Sequence, residues 1–241
     1  MLTGAFFGAE EPIEMIDVLL AAGANVNATD YSTPLISAAQ VKSIEIVKRL
    51  ISAGADVNIT GNGLTALMVA SYYEGEKDKA RAVAIVKELL NADADVNIQG
   101  DGCTALKCAL DAEENIDIVT MLLEAGANPN VRDGHDNTML SLAIVWGGNV
   151  AIVEKLITFG VDVNAKSQWG HTELMTAVGV VNKKKTADCI AIVKVLLMAG
   201  AEVNAKQING ARALDFADEG IPELITLLRE AGAVGRDEVE E

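Results

Sequence analysis

Residues 33–58, TPLISAAQVKSIEIVKRLISAGADVN, decide the fold of this chain, because both ends of the stretch return along the sequence. Variants of the closing AGADVN begin at residues 22, 92, 125, 159 and 199, and AGAVG at 231 closes the series. Variants of the opening TPLISAA begin at residues 65, 104, 138, 172 and 212. Two motifs that recur in a constant order predict one continuous array of repeats without a linker.

The pattern within one repeat predicts a helix, a turn, a second helix and a finger. Thr33 has the chemistry of an N-cap, and Pro34 suits the first helical position. Apolar residues recur at helical spacing in IEIVKRLI at 44–51, and Gly54 ends that helix by adopting the left-handed conformation. The polar residues from Asp56 onward predict an extended segment before the next threonine.

These motifs resemble the ankyrin-repeat family, whose repeats carry T-P-L-x-x-A-A followed by I-V-x-x-L-L-x-x-G-A-x-x-N. The resemblance covers residues 1–235 and implies an all-α fold, an ankyrin-repeat solenoid of seven helix-turn-helix units joined by β-hairpin fingers. The first and last units are degenerate and read as caps. We expect residues 1–235 to form a single domain and residues 236–241 to be an acidic disordered tail.

Three positions depart from the family pattern. Asp93 stands where the other repeats carry the glycine of the helix end. Two repeats are long, with extra residues near Glu74–Lys79 and Asn182–Thr186, the second of which contains three consecutive lysines at 183–185. We expect both insertions to be solvated loops; the alternative is an auxiliary contact for an acidic partner or for the acidic tail.

The composition argues against several classes of function. The formal net charge is −16, and a field of that sign repels nucleic acid and anionic membranes. Neither histidine accompanies cysteines or carboxylates at metal-ligand spacing, and no catalytic or phosphate-binding motif occurs, so we expect no metal, no cofactor and no enzyme activity. The three cysteines lack metal-type or redox-type spacing. An odd number of cysteines without such spacing favours a reducing compartment. The sequence also contains no recognisable signal peptide and no apolar run of membrane length, so we expect a cytoplasmic protein.

The resemblance also implies where a partner binds, because family members use finger tips and the last residues of each first helix. Tyr and Trp, both enriched in binding hot spots, occur here at those positions. We predict a partner-binding surface that consists of Tyr72, Tyr73, Trp146, Trp169, His171, Leu64, His135 and Asn137. The alternative is that these side chains pack against neighbouring fingers, or that Tyr72 and Tyr73 cover the nearby insertion.

The function that follows is a non-catalytic protein–protein interaction scaffold, monomeric, with a neutral or basic protein as partner. A structural or self-associating element of a larger assembly is the main alternative. A cofactor-free enzyme and a nucleic-acid-binding protein are weaker alternatives. The identity of the partner does not follow from the sequence, because the partner and not the fold selects recognition residues.

Overall fold

The computed structural model describes residues 12–112, 115–181 and 186–238. The chain divides into two compact parts, Met1–Asn128 and Pro129–Glu241, which we call the N-terminal part and the C-terminal part. Both parts are built from helices, and the described segments between helices contain isolated β-bridges but no extended strand. The all-α class predicted from the repeats is confirmed.

In the N-terminal part, short first helices alternate with longer second helices. The helices are α1 Pro12–Ala21, α2 Pro34–Gln40, α3 Ile44–Ser52, α4 Ala66–Ser71, α5 Glu76–Asn91, α6 Ala105–Leu110 and α7 Ile116–Glu124. The first helices α2, α4 and α6 pack in succession, and the second helices α1, α3, α5 and α7 form a parallel layer beside them. Each helix therefore buries its apolar face against the neighbouring repeats, as expected for a repeat protein.

The C-terminal part continues the same alternation. Its elements are α8 Met139–Leu142, a π-helical turn Ala143–Gly147, α9 Val150–Thr158, α10 Glu173–Val181, α11 Thr186–Met198, a 3₁₀ turn Ala213–Phe216 and α12 Pro222–Glu230. Here α10 packs against α8 and α11, and α11 packs against α9. The core is aliphatic: Leu140, Val153 and Val193 are each 0% exposed.

Threonine side chains begin the first helices, as predicted for Thr33. Thr33, Thr65, Thr104 and Thr138 each accept a hydrogen bond from the backbone N–H three residues later, at 2.9–3.2 Å. The second helices end in the left-handed conformation, with φ at +88° for Gly54 and +60° for Asp93. Asp93 thus adopts a conformation that costs a residue with a Cβ more than it costs glycine.

The asparagine that closes each AGADVN motif joins one repeat to the next. The side-chain amide of Asn27 donates to the carbonyl of Gly54 at 3.2 Å and accepts from the N–H of Asp56 at 2.8 Å. The same pair of bonds is made to the following repeat by Asn97, Asn130, Asn164 and Asn204. The sequence showed that this residue recurs but not that its role is to join repeats.

The fingers are tight turns closed by single bridges, such as the pair Gly61–Leu64 and the pair Gly100–Cys103. Successive fingers approach closely at Gly100, where a Cβ would lie 1.6 Å from the carbonyl oxygen of Gly63. Only glycine fits at that position without a shift of the backbone.

The first insertion is not the loop that we expected. Helix α5 begins at Glu76 and has 16 residues, whereas α3 and α7 have nine each. The inserted residues have high helix propensity, and acidic Glu76 and Asp78 lie in the first turn, where they stabilise the helix dipole. The second insertion, including the lysine run at 183–185, lies outside the described residues.

The described chain ends close to α12. The guanidinium of Arg229 pairs with the carboxylate of Glu238, and the N–H of Arg236 donates to Asp215 at 2.9 Å. Residues 239–241 lie outside the described residues, so the disordered tail stays a prediction. Within the three described ranges, no helix combines the length and the apolar character needed to cross a membrane.

Candidate functional site

Two cavities lie beside the predicted binding residues, one in each part of the chain. The cavity of the N-terminal part measures about 570 Å³, and we call it the tyrosine pocket. Its walls come from the ends of three successive first helices and include Lys42, Leu64, Tyr72, Cys108 and Asp111. Leu64 is half-buried in the finger that precedes α4.

Side chains from both neighbouring repeats close the end of α4. The last four carbonyls of a helix have no partner within the helix. Here the ammonium group of Lys42 donates to the carbonyls of Val69, Ala70 and Tyr72, at 2.9, 3.4 and 2.7 Å. The buried amide of Asn115 donates to the remaining carbonyl, that of Ser71, at 3.0 Å. Residues of the preceding and following repeats therefore position Tyr72.

The charged groups in and around the tyrosine pocket include the ammonium group of Lys42 and the carboxylates of Asp78 and Glu74. Burial lowers the pKa of Lys42 to about 8, against the opposing effect of Asp78, so the ammonium form still predominates at pH 7. The hydroxyl of Tyr72 donates to the carboxylate of Glu74 at 2.9 Å, and this bond is the main reason that the pKa of Tyr72 is raised.

The two adjacent tyrosines point in opposite directions. Tyr72 is 41% exposed, whereas Tyr73 is only 5% exposed. The backbone at Tyr72 is extended, with φ −100° and ψ 135°, and successive side chains of an extended segment alternate between faces. The expectation that Tyr73 belongs to a surface open to a partner is therefore corrected: Tyr73 contributes to the wall of the pocket and to the core beside the insertion.

The cavity of the C-terminal part measures about 320 Å³ and lies among apolar side chains, including Val145, Met175 and Phe216. Trp146 follows Val145 in the π-helical turn and is 67% exposed. Trp169 lies in the finger two residues before His171, another wall residue, and is 65% exposed. We call the cavity with Trp146, Trp169 and Ile208 the tryptophan surface.

Ile208 is a member of this surface that the sequence did not suggest. Its N–H donates to the carbonyl of Trp169 at 3.1 Å, and its side chain is 75% exposed. The bond places two large apolar side chains on adjacent fingers. The signal available in the sequence was an isoleucine among polar finger residues at 207–210.

His171 is part of the cavity wall and not an exposed anchor residue. The side-chain amide of Gln207 donates to its Nδ1, and its ring meets Phe216 edge-to-face with centroids 5.6 Å apart. Burial lowers the pKa of His171, so the ring is neutral at pH 7. An edge-to-face pair and a hydrogen bond hold the ring in place.

His135 and Asn137 lie in an exposed finger of the C-terminal part. Asp133 organises this finger by accepting from the N–H groups of His135 and Asn137 at 2.8 and 2.9 Å, and from the side chain of Asn137 at 3.0 Å. Burial alone would raise the pKa of Asp133, but these hydrogen bonds lower it. The amide of Asn137 is thus engaged within the finger itself.

A buried carboxylate, that of Glu173, was not predicted from the sequence. Glu173 is 3% exposed and stands where the motif at 33–39 has Pro34. The hydroxyl of Thr138 donates to Oε1 of Glu173, while Oε2 has no hydrogen-bond partner among the described residues. Burial, opposed by that bond, raises the pKa of Glu173 to about 7. The feature of the sequence that could have indicated this carboxylate is a glutamate at the position where the motif has proline.

The arrangement of both surfaces suits the binding of side chains. The cavity of the C-terminal part has mainly apolar walls, and the tyrosine pocket combines apolar side chains with Lys42 and Asp111, as in sites that recognise apolar groups and orient them with a few polar ones. Across the described ranges, no three His, Cys, Asp or Glu side chains are grouped so that they could hold a metal ion.

Comparison with known proteins agrees with this architecture. A family model described as "Ankyrin repeats (3 copies)" matches residues 5–98 and 79–133, and one described as "Ankyrin repeats (many copies)" matches residues 122–175. The nuclear factor NF-kappa-B p105 subunit of Gallus gallus is 32% identical over 120 residues, which are 48% of this chain and 12% of that protein. A putative ankyrin repeat-containing protein of Treponema pallidum (strain Nichols) is 33% identical over 104 residues, which are 43% of this chain and 32% of that protein.

Solved structures give the same result over nearly the whole chain. The ankyrin repeat domain of Bcl-3, a member of the IkappaB protein family, matches with a TM-score of 0.75 and 24% identity over 95% of this chain and 97% of that chain. The human ASB11 ankyrin repeat domain matches with a TM-score of 0.72 and 23% identity over 94% and 96%. At these identities the structural likeness concerns the fold alone. Because the family models together match residues 5–175, well over half of the chain, the protein belongs to the ankyrin-repeat family.

Proposed function

We propose that the protein is a non-catalytic protein–protein interaction scaffold that binds its partner through the tryptophan surface. The observation that carries this proposal is the exposure of Trp146 and Trp169, 67% and 65%, close along the chain to Val145 and His171, which line an apolar cavity of about 320 Å³. Large apolar groups that are exposed next to an apolar cavity mark the surfaces that partners cover. The ankyrin-repeat fold supports the same class of function.

The two tryptophans act as anchors, and the cavity receives an apolar side chain of the partner. Tryptophan is among the residues most often found in hot spots, where truncation to alanine costs about 2 kcal/mol or more. A loss of that size raises the dissociation constant about 30-fold. Ile208, 75% exposed beside Trp169, extends the contact.

The partner is a neutral or basic protein. The net charge of −16 favours encounter with positive surfaces and disfavours nucleic acid. In the N-terminal part the tyrosine pocket offers a second contact, where Tyr72 and the carboxylate of Glu74 form a rim suited to an apolar or basic side chain. A cytoplasmic location and a monomeric state remain predictions from composition.

Comparing a double variant with a matched control tests the proposal. The wild-type protein, Trp146→Ala/Trp169→Ala and Met198→Ala are immobilised and incubated with lysate, and the retained proteins are quantified by mass spectrometry. Met198 is the control because it is 88% exposed, lies at the end of α11 and is not a wall residue of the cavity. We expect the control to retain the wild-type partners and the double variant to lose them, by about 30-fold or more in affinity for the purified partner.

Two results would contradict the proposal. If the double variant is folded by circular dichroism and binds the same proteins with unchanged affinity, the tryptophans are not the anchors. If sedimentation shows a dimer of the wild-type protein that the double variant cannot form, the surface is a contact between two copies. The protein would then be a self-associating element.

A further inference from the structure

Two cysteines meet at the start of α6, where the sequence spacing suggested no redox pair. Cys103 immediately precedes the N-cap Thr104, and Cys108 is the fourth residue of the helix. These two positions commonly pack against each other at helix starts, as a hydrophobic staple. The Sγ atoms lie 2.6 Å apart, only about 0.5 Å beyond the S–S bond length of about 2.05 Å.

The same contact occurs at an equivalent position of an earlier repeat. Ser32 precedes the N-cap Thr33, Ser37 is the fourth residue of α2, and their hydroxyl oxygens are 3.4 Å apart. The repeat geometry therefore brings the side chains of these two positions together in two repeats with different residues. In the repeat at 104–110, both side chains are thiols.

The two thiols differ in reactivity. A hydrogen bond from Cys108, helped by the charge of Lys107, lowers the pKa of Cys103 against the effect of burial. The same hydrogen bond, together with burial, raises the pKa of Cys108. Cys103 is half-exposed in the finger, so a small molecule reaches its sulfur from solvent. The thiolate is the reacting form of cysteine, which makes Cys103 the attacking group.

We propose that Cys103 and Cys108 are a redox-active pair that forms a reversible disulfide by exchange with a small-molecule disulfide such as oxidised glutathione. The thiolate of Cys103 attacks one sulfur of glutathione disulfide and releases one glutathione thiolate. That thiolate takes the proton of Cys108, whose sulfur then attacks the Cys103 sulfur and displaces the second glutathione as a thiolate. That second thiolate takes up the proton that Cys103 released on ionisation, so the dithiol loses two electrons and two protons, and one glutathione disulfide becomes two glutathione thiols.

This modification reaches the tyrosine pocket, because Cys108 is one of its wall residues. Oxidation replaces a thiol in that wall with a bond to the finger. The inference does not depend on the proposed function, since it rests on the thiols alone.

The test counts the thiols that remain after the folded protein has reacted. Wild-type protein, Cys103→Ser, Cys108→Ser and Cys189→Ser are equilibrated in the folded state with an excess of oxidised glutathione, quenched with acid, alkylated in denaturant so that buried thiols also react, and analysed by mass spectrometry. Cys189 serves as the control, because it is buried in α11 at 3% exposure. We expect the number of alkylated thiols in the wild type to fall from three to one, with a peptide that links Cys103 to Cys108. The Cys189→Ser variant should form the same link.

Each single variant has its own expected product. Cys108→Ser should stop at a mixed disulfide between Cys103 and glutathione, while Cys103→Ser should remain unmodified. The rate of alkylation of Cys103 as a function of pH should give a lower pKa in the wild type than in Cys108→Ala, because alanine has no donor for the Cys103 thiolate. If the folded wild-type protein keeps three alkylated thiols, or accumulates only the glutathione adduct, the proposal is wrong.

Discussion

Replacement of Glu173 by glutamine should remove an unusual dependence of stability on pH. Glu173 is 3% exposed, and one carboxylate oxygen accepts from Thr138 while the other has no hydrogen-bond partner in the described part of the chain. The other charges that act on it are those of Arg132, which favours ionisation, and Asp162, which opposes it. Burial dominates, so the folded protein holds the carboxyl group in its protonated form up to a pKa of about 7.

The sign of the effect is opposite to that of an ordinary paired carboxylate. Below about pH 4.5 the carboxyl group is protonated in both the folded and the unfolded chain. The free energy of unfolding then does not depend on the ionisation of Glu173. Between pH 4.5 and about 7 the unfolded chain loses the proton first, and stability falls as pH rises. At 1.36 kcal/mol per pH unit the full loss is about 3 kcal/mol above pH 7.

Urea unfolding at pH 5 and at pH 8, followed by tryptophan fluorescence, measures this loss. Both tryptophans lie in the C-terminal part with Glu173, so the fluorescence reports the relevant transition. The difference in unfolding free energy between Glu173→Gln and wild type should rise by about 2.5 kcal/mol from pH 5 to pH 8, since part of the loss has already occurred at pH 5. Any effect of the glutamine amide on stability that does not change with pH cancels when the differences at pH 5 and pH 8 are compared.

A matched control is Glu154→Gln, which changes an exposed glutamate of α9 in the same part of the chain. We expect its unfolding free energy to follow the wild type at both pH values. If Glu173→Gln also follows the wild type, then Glu173 is ionised in the folded protein near pH 5, and the argument from burial is refuted.

Three further substitutions test the description of the repeats by urea unfolding at pH 7. Asp93→Gly should stabilise by up to about 1 kcal/mol, because φ at this position is +60°; a lower unfolding midpoint would refute this. Leu140→Ala should destabilise by about 2–5 kcal/mol, since Leu140 is 0% exposed, whereas Met198→Ala at 88% exposure should change stability little. Lys42→Met should destabilise by about 1–3 kcal/mol, because three carbonyls at the end of α4 lose their donor; equal stability would mean that water replaces the ammonium group.

Much of the local structure was predictable, because its causes lie within a few residues. A threonine bonds to the N–H three positions later, and a glycine ends a helix through its own φ angle. The inserted residues from Glu76 onward were wrongly predicted to be a loop, although Glu and Lys favour the helix that begins at Glu76. The insertion is largely exposed, as expected, and the error was to assume that an exposed insertion is not helical.

The candidate site was only partly predictable. Trp146 and Trp169 were predicted to be at the surface because they lie outside the core positions that the repeats share, and both side chains are exposed. Tyr73 could not be distinguished from Tyr72, because the direction of each side chain depends on where α4 ends. His171 was expected at the surface, but Gln207 and Phe216, both distant in the sequence, hold it in a cavity wall.

The sequence alone was therefore sufficient for the order of the repeat motifs and the all-α class, since these depend on short-range chemistry that recurs. Only the tertiary structure decided which side chains close the end of α4 and which carboxylate is buried. Lys42 reaches a carbonyl 27 residues away, and Asn115 reaches one 44 residues away. Glu173 meets a hydroxyl 35 residues away. Contacts of that range depend on how each repeat stacks on its neighbour, and the sequence of one repeat does not contain that information.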